Sequence, residues 1–367
     1  MKHKKLLIII SAFIFVILLT GCTGAGGGVN NWSGMTISGE TAYLADGTAI
    51  FGVDMTNGTQ NWIFPPKSEG GGGFLGSLFS PGNNYGIIFA PPAVTDDQMF
   101  VGNYNQVLFG INLTNSTEAW RFEDAKDRWI GGVLVLDDLV YAPNADGKLY
   151  ILDKKGNLVR AIETGGPLWS TPVNGEDNLY LSGMDHSLYA FDIKTLKLIW
   201  QTDLGSSLIT SPVLDADGNL VVGNISGELF KVDGKSGLIL TQTTLGGGIW
   251  SRPLLADGVV YLGVQSGELY ALDEADFKQR WLINTSASVI ASPVLLPDGI
   301  AYVNEGGDAV GLDFNGNENW RQSLDGQLYS DPEVVGDLIL VPVKGGDVQI
   351  QAIKTNGALS WAFKPAK

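Results

Sequence analysis

Residues 252–273 read RPLLADGVVYLGVQSGELYALD, and eight residues later comes Trp281. Three short apolar runs lie in this stretch, rich in Val, Leu and Tyr and too short for a helix, so they read as strands. Asp257-Gly258 and Ser266-Gly267 supply tight-turn chemistry between them. A fourth run surrounds Trp281. The same pattern returns along the chain from residue 31. With Pro253 as anchor, the equivalent positions are Met35, Pro92, Val133, Pro172, Pro212, Pro293 and Pro332, at steps of 57, 41, 39, 40, 41, 40 and 39. A fixed period near forty marks units that cannot bury their apolar faces alone. Four antiparallel strands per unit, joined by hairpin-length turns, fit a propeller blade better than a solenoid coil. The expected fold is all-β: an eight-bladed β-propeller of four-stranded blades over 31–367.

The GxLYALD strand followed by Trp resembles the pyrroloquinoline-quinone (PQQ)-type propeller repeat. The strand recurs at 48–54, 107–112, 148–153, 187–192, 228–233, 268–273 and 309–313, and the indole recurs as Trp62, Trp120, Trp200, Trp281, Trp320 and Trp361. Arg160 and Thr241 stand where two copies depart from it. The resemblance implies that these tryptophans dock between neighbouring blades. Quinoprotein dehydrogenases share the repeat, but they clamp their cofactor with a disulfide between adjacent cysteines and a calcium site. This chain has one cysteine and no matching acid–amide constellation. The expectation is therefore no cofactor and no enzyme activity, with a PQQ-dependent dehydrogenase the less favoured reading.

The N-terminus carries Lys2, Lys4 and Lys5, an apolar run from Leu6 to Leu19, and then Leu19-Thr20-Gly21-Cys22. A charged start and an apolar run too short to span a bilayer comfortably describe a signal peptide over 1–21. Leu-Thr-Gly-Cys resembles the lipobox of bacterial lipoproteins, which implies lipidation at Cys22. Residues 22–30 are Gly-rich and read as a lipidated flexible tether. Removing the leader takes 23 Lys and Arg to 20, against 39 Asp and Glu, and the balance from −16 to −19. So acidic a surface argues against nucleic acid as a partner and leaves membrane attachment to the lipid.

The chain has little catalytic material. His186 is the one histidine beyond the leader, on a turn between strands, and histidine-based metal sites are excluded on count. Asp313, Asn315 and Asn317 alternate like a calcium loop, as do Asp215, Asp217 and Asn219, but neither set has the bidentate Glu at the spacing required. Both read as turns. No catalytic, cofactor or metal residue is assigned.

Two places are expected to bind. Three residues before the anchors lie Trp32, Phe89, Ile130, Trp169, Ile209, Trp250, Ile290 and Tyr329, and two residues further on, across the same strand face, come Thr171, Ser211, Arg252, Ser292 and Asp331. Either these rings form an aromatic collar facing the axis, or they pack between blades. The candidate contacts here are Trp32, Trp169, Trp250, Arg252, Tyr329 and Asp331. The second place is the extra length between copies one and two, residues 65–86, where Phe74, Leu75, Leu78 and Phe79 form an apolar knot on a Gly-rich loop.

Eight such repeats behind a lipobox resemble the BamB-type lipoproteins of outer-membrane assembly. That resemblance implies a monomeric scaffold for an envelope protein partner, anchored to the outer membrane or to the outer face of the cell membrane. A propeller binding a sugar or other small ligand in its collar is the alternative. Specificity is expected where the chain departs from its repeat: at Arg160, at Thr241, in the collar and in the insertion.

Overall fold

A computed structural model of the chain describes residues 34–66 and 85–366. The leader, Cys22, the tether, Trp32 and the apolar knot of the insertion (Phe74, Leu75, Leu78 and Phe79) lie outside the described residues. All regular elements among the described residues are strands, 32 of them, in eight four-stranded antiparallel sheets. The blades cover 34–64, 93–122, 134–163, 173–203, 213–244, 254–284, 294–323 and 333–363. Each blade is four consecutive strands paired in chain order, from an inner strand to an outer one.

Among the described residues no strand is exchanged between the first and last blades, and side chains join the two. Met35, Leu44 and Val53 of blade 1 pack against Leu340, Ile350 and Phe363 of blade 8. The Phe51 and Phe363 rings meet with centroids 5.6 Å apart. Asp46 of blade 1 pairs with Lys344 and accepts a 2.5 Å hydrogen bond from Gln349 Nε2, both in blade 8.

Outer-strand tryptophans fasten five of the other seven seams in one repeated way. Each indole N–H reaches forward to a carbonyl of the next blade, from Trp62 to Leu113, Trp120 to Lys154, Trp200 to Gly234, Trp281 to Phe314 and Trp320 to Thr355, at 2.8–3.1 Å. Trp361 completes the circuit onto Met55 of blade 1, at 2.8 Å. Two small residues make room for each ring. Across the sheet the partner is Gly52, Gly110, Ala190, Ala271 or Gly311. Beneath the ring, a turn of the next blade usually supplies a positive-φ glycine, as Gly357 does under Trp320 with φ +89°. Burying such rings contributes a few kcal/mol each, about 25 cal/mol per Å² of apolar surface.

At the two seams without Trp the space is refilled. Arg160 donates from a guanidinium nitrogen to Thr195 O of blade 4 at 3.1 Å, and Ile151 stands across the sheet from it where others have Gly or Ala. Opposite Thr241 stands Lys231. Its ammonium pairs with Asp215 at 2.8 Å and approaches the Glu274 carbonyl and carboxylate of blade 6 at 3.5 Å. Phe277, 3% exposed, occupies the turn position where five of the other seven blades have glycine and packs among Val221 and Leu229 of blade 5. Arg160 and Thr241 were expected to mark specificity; what the structure shows at both positions is a seam filled by other means.

Candidate functional site: the axial cup

The approach to each inner strand alternates between core and axis. Four residues before the anchor, Ile88, Trp129, Leu168, Leu208, Ile249, Val289 and Leu328 are buried. One residue later the side chains turn the other way, as the period of two requires. Phe89, Ile130, Trp169, Ile209, Trp250, Ile290 and Tyr329 all line one axial cavity of about 460 Å³. They are half-buried. Of the two arrangements open from sequence, the structure has the collar: the seams are filled by other side chains, and these rings are left to the cavity. Rings and isoleucines alternate around the axis, Phe89, Trp169, Trp250 and Tyr329 on blades 2, 4, 6 and 8, with isoleucine on blades 3, 5 and 7. Large and small residues alternate in this way wherever a converging ring leaves no room for large ones throughout.

Thr171, Ser211, Arg252, Ser292 and Asp331 line the same cavity. Several of them tie blades together at their inner ends. Arg252 N donates to Ser292 Oγ at 3.0 Å, Ser292 N donates to Asp331 Oδ1 at 2.7 Å, and Ser211 Oγ donates to Thr171 O at 2.8 Å. Blades 6, 7 and 8 are thus linked in series, which holds Arg252 and Asp331 at a fixed separation around the mouth.

Glu333 was missed by the sequence reading. It lines the cavity two residues after Asp331, at the position where other blades carry Thr36, Ala93, Leu134, Val173, Val213, Leu254 and Val294. One carboxyl in an otherwise uncharged register was the available signal. Burial pushes its pKa up, the Asp331 carboxylate beside it pushes further, and Arg252 opposes them without prevailing. The cup therefore holds one guanidinium and two carboxyls, walled by rings.

Phe64 and Tyr85, on either side of the undescribed part of the insertion, are buried and in ring contact at 4.6 Å. The insertion thus leaves and rejoins the fold between the outer strand of blade 1 and the inner strand of blade 2, on the side where the cup opens. The other polar candidates are structural. His186 is exposed on a blade 4 turn with φ 73° and is not among the residues lining the cup. Asp313 accepts from Asn315 N, Asn317 N and Asn317 Nδ2 at 2.8–2.9 Å, closing its own turn. Asp215 does the same with Asp217 and Asn219. Among the described residues, no group of three or more His, Cys, Asp or Glu is placed to hold a metal.

A closed eight-bladed ring with a preformed, ring-walled cup on its axis defines a propeller binding platform. A family model described as outer membrane protein assembly factor BamB matches residues 26–167, 114–245, 184–313 and 265–366, and the chain belongs to that family. The outer membrane protein assembly factor BamB of Moranella endobia (strain PCIT) is 24% identical over 306 residues, covering 74% of this chain and 76% of that one. The protein of the same name from Burkholderia pseudomallei (strain K96243) is 32% identical over 138 residues, 37% of this chain and 35% of its own length. The match therefore spans only about a third of that relative. The crystal structure of BamB from Moraxella catarrhalis superposes with a TM-score of 0.68 at 16% identity, covering 91% of this chain and 94% of that one, which shows the shared fold.

Proposed function

We propose that the chain is a non-enzymatic, lipid-anchored envelope propeller that holds protein partners at its axial cup, in the service of outer-membrane protein assembly. The observation that carries this reading is the cup itself, a rigid aromatic surface with fixed charges in a chain of the BamB family. Partner hot spots favour Trp, Tyr and Arg side chains, which the cup offers as half-buried Trp169, Trp250 and Tyr329 and exposed Arg252. Lipid at Cys22 would fasten the chain to a membrane surface, with the propeller as a monomeric ring facing the periplasm or, in a single-membrane cell, the exterior. The apolar residues Phe74, Leu75, Leu78 and Phe79 of the insertion are a second candidate for partner contact. The reading needs no cofactor.

A second reading has one observation in its favour. A cavity of about 460 Å³ is of a size that takes a small ligand. A photo-crosslinking residue placed at Trp169, Trp250 or Arg252, in cells of the native envelope, separates the two. Crosslinks to a barrel-assembly subunit support the scaffold. Absence of any protein adduct, together with a small molecule co-purifying with the cup, overturns it.

A further inference from the structure

Blade 8 meets the cup with a column of side chains that no other blade repeats. Tyr329, Asp331 and Glu333 stand two residues apart and all line the cavity. The same register reads Trp250, Arg252 and Leu254 on blade 6 and Trp169, Thr171 and Val173 on blade 4. Four residues of extended chain span up to about 13 Å, so the column leads from the collar inward. Asp331 is exposed and Glu333 half-buried. Glu333 receives no hydrogen bond from the described residues. The charges that reach it are Asp331, which repels it, and Arg252, whose attraction does not prevail. A carboxyl held in this way costs the fold stability at neutral pH. Such groups mark sites where a ligand supplies what the scaffold does not.

The partner that this column lacks is a cation on a long apolar stem. Aromatic walls attract cations as well as apolar groups. Lysine and arginine lay their methylenes along apolar surface and carry charge at the tip, which matches a cup with rings at its collar and carboxyls further in. On one flank of the column, blade 1 contributes Gly34 and Thr36, small residues that leave room beside the carboxyls. With Arg252 counted, the ionised cup still has one carboxylate in excess, and a cation removes it. An anion would meet two like charges for one opposite.

We propose that the cup receives a lysine or arginine side chain of its protein partner, with the stem between the collar rings and the cation at Asp331 and Glu333. This rests on the scaffold reading given above and names the group that the scaffold holds. The test titrates the full chain, in non-ionic detergent, with capped pentapeptides that carry lysine, arginine, norleucine or glutamate at the centre of a Gly-Ser frame. Line broadening in NMR spectra of the peptides reads the binding. Norleucine keeps the stem and lacks the charge. The lysine and arginine peptides are expected to bind about fivefold or more tighter than the norleucine one, with the margin shrinking as salt rises. Combined Asp331→Asn and Glu333→Gln removes the margin, and Arg252→Gln widens it. Asp331→Asn keeps an acceptor for the Ser292 N–H, and circular dichroism confirms that each variant folds. Equal binding of the lysine and norleucine peptides, or a preference for glutamate that Arg252→Gln abolishes, overturns the proposal. Crosslinks from a photoreactive residue at Trp169 to a barrel-assembly subunit, unchanged in the double variant, overturn it too and leave the scaffold reading standing. Lysine selectivity without any protein adduct keeps the cation site and overturns the scaffold.

Discussion

Gly357→Ala tests the seam logic at one atom. Gly357 has φ +89°, and an added Cβ would stand 2.5 Å from Trp320 Cγ and 2.6 Å from its Cβ. Left-handed backbone costs a non-glycine residue about 1–2 kcal/mol, of which part is offset by a stiffer unfolded chain. The clash adds more, since Trp320 cannot retreat: Gly311 lies against its far side, and its N–H is held by Thr355 O at 3.0 Å. Overpacking of this kind costs about 1–3 kcal/mol and the lost hydrogen bond about 1 more. A total of about 3–5 kcal/mol is expected. Gly258→Ala is the control, because Gly258 has φ +72° with nothing within 4 Å of the added methyl, leaving about 1 kcal/mol of backbone strain. In a Trp320→Ala background the clash is gone, and Gly357→Ala should also fall to about 1 kcal/mol. Urea midpoints followed by circular dichroism measure all four proteins. Equal costs for Gly258→Ala and Gly357→Ala, or additivity with Trp320→Ala within about 0.5 kcal/mol, would refute the account.

Lys231→Met should cost about 2–4 kcal/mol near neutral pH, because it leaves the Asp215 side chain, 1% exposed, without its cation. Burial alone would push Asp215 up, but Lys231 and Asn219 outweigh it and hold the carboxyl below its usual range. Its stabilisation is therefore present above about pH 4 and lost as pH falls through the depressed value; denaturation across acid pH should show that loss in the parent and little of it in the variant, so that the two converge at low pH. Glu333→Gln should act in the opposite sense. A raised carboxyl favours the neutral folded form, so the parent loses stability as pH climbs from about 4.3 through the raised value, and the variant should gain at pH 7 while matching the parent at pH 4. Thr241→Trp should destabilise the parent but add little further cost to a Lys231→Ala, Phe277→Gly double variant, in which both sides of that seam are cleared; thermal unfolding of the single, double and triple variants reads the difference.

The repeat made the blades and the collar legible because both follow from local rules. Strand alternation alone carries a residue three before Pro253 to the same face as Arg252, and a period near forty copies that geometry around the ring. Glu333 escaped because the face was followed only up to the residue before the anchor; one more step of two reaches it. The seam filling at Arg160 and Thr241 escaped for a different reason. What compensates for a lost tryptophan is Lys231 across the sheet and Phe277 in the next blade, and neither is a sequence neighbour of Thr241. Register and ring closure had to be seen first.

The two kinds of position divide the work of the ring. Seam residues are interchangeable in chemistry as long as volume and one forward donor are conserved: indole over glycine at most seams, guanidinium beside Ile151 at one, ammonium and Phe277 at another. Axial residues share part of this work, since Ser211, Ser292 and Asp331 also link neighbouring blades. The residues at the axis nevertheless differ from blade to blade, and the differences are not spread evenly. The charged groups of the cup lie on blades 6 and 8, while Gly34, Pro91 and Gly132 hold the position equivalent to Arg252 and Asp331 on blades 1, 2 and 3. A cup with charge on one side and bare backbone on the other has a direction. On the scaffold reading proposed above, a partner entering the cup turns its own charges toward blades 6–8.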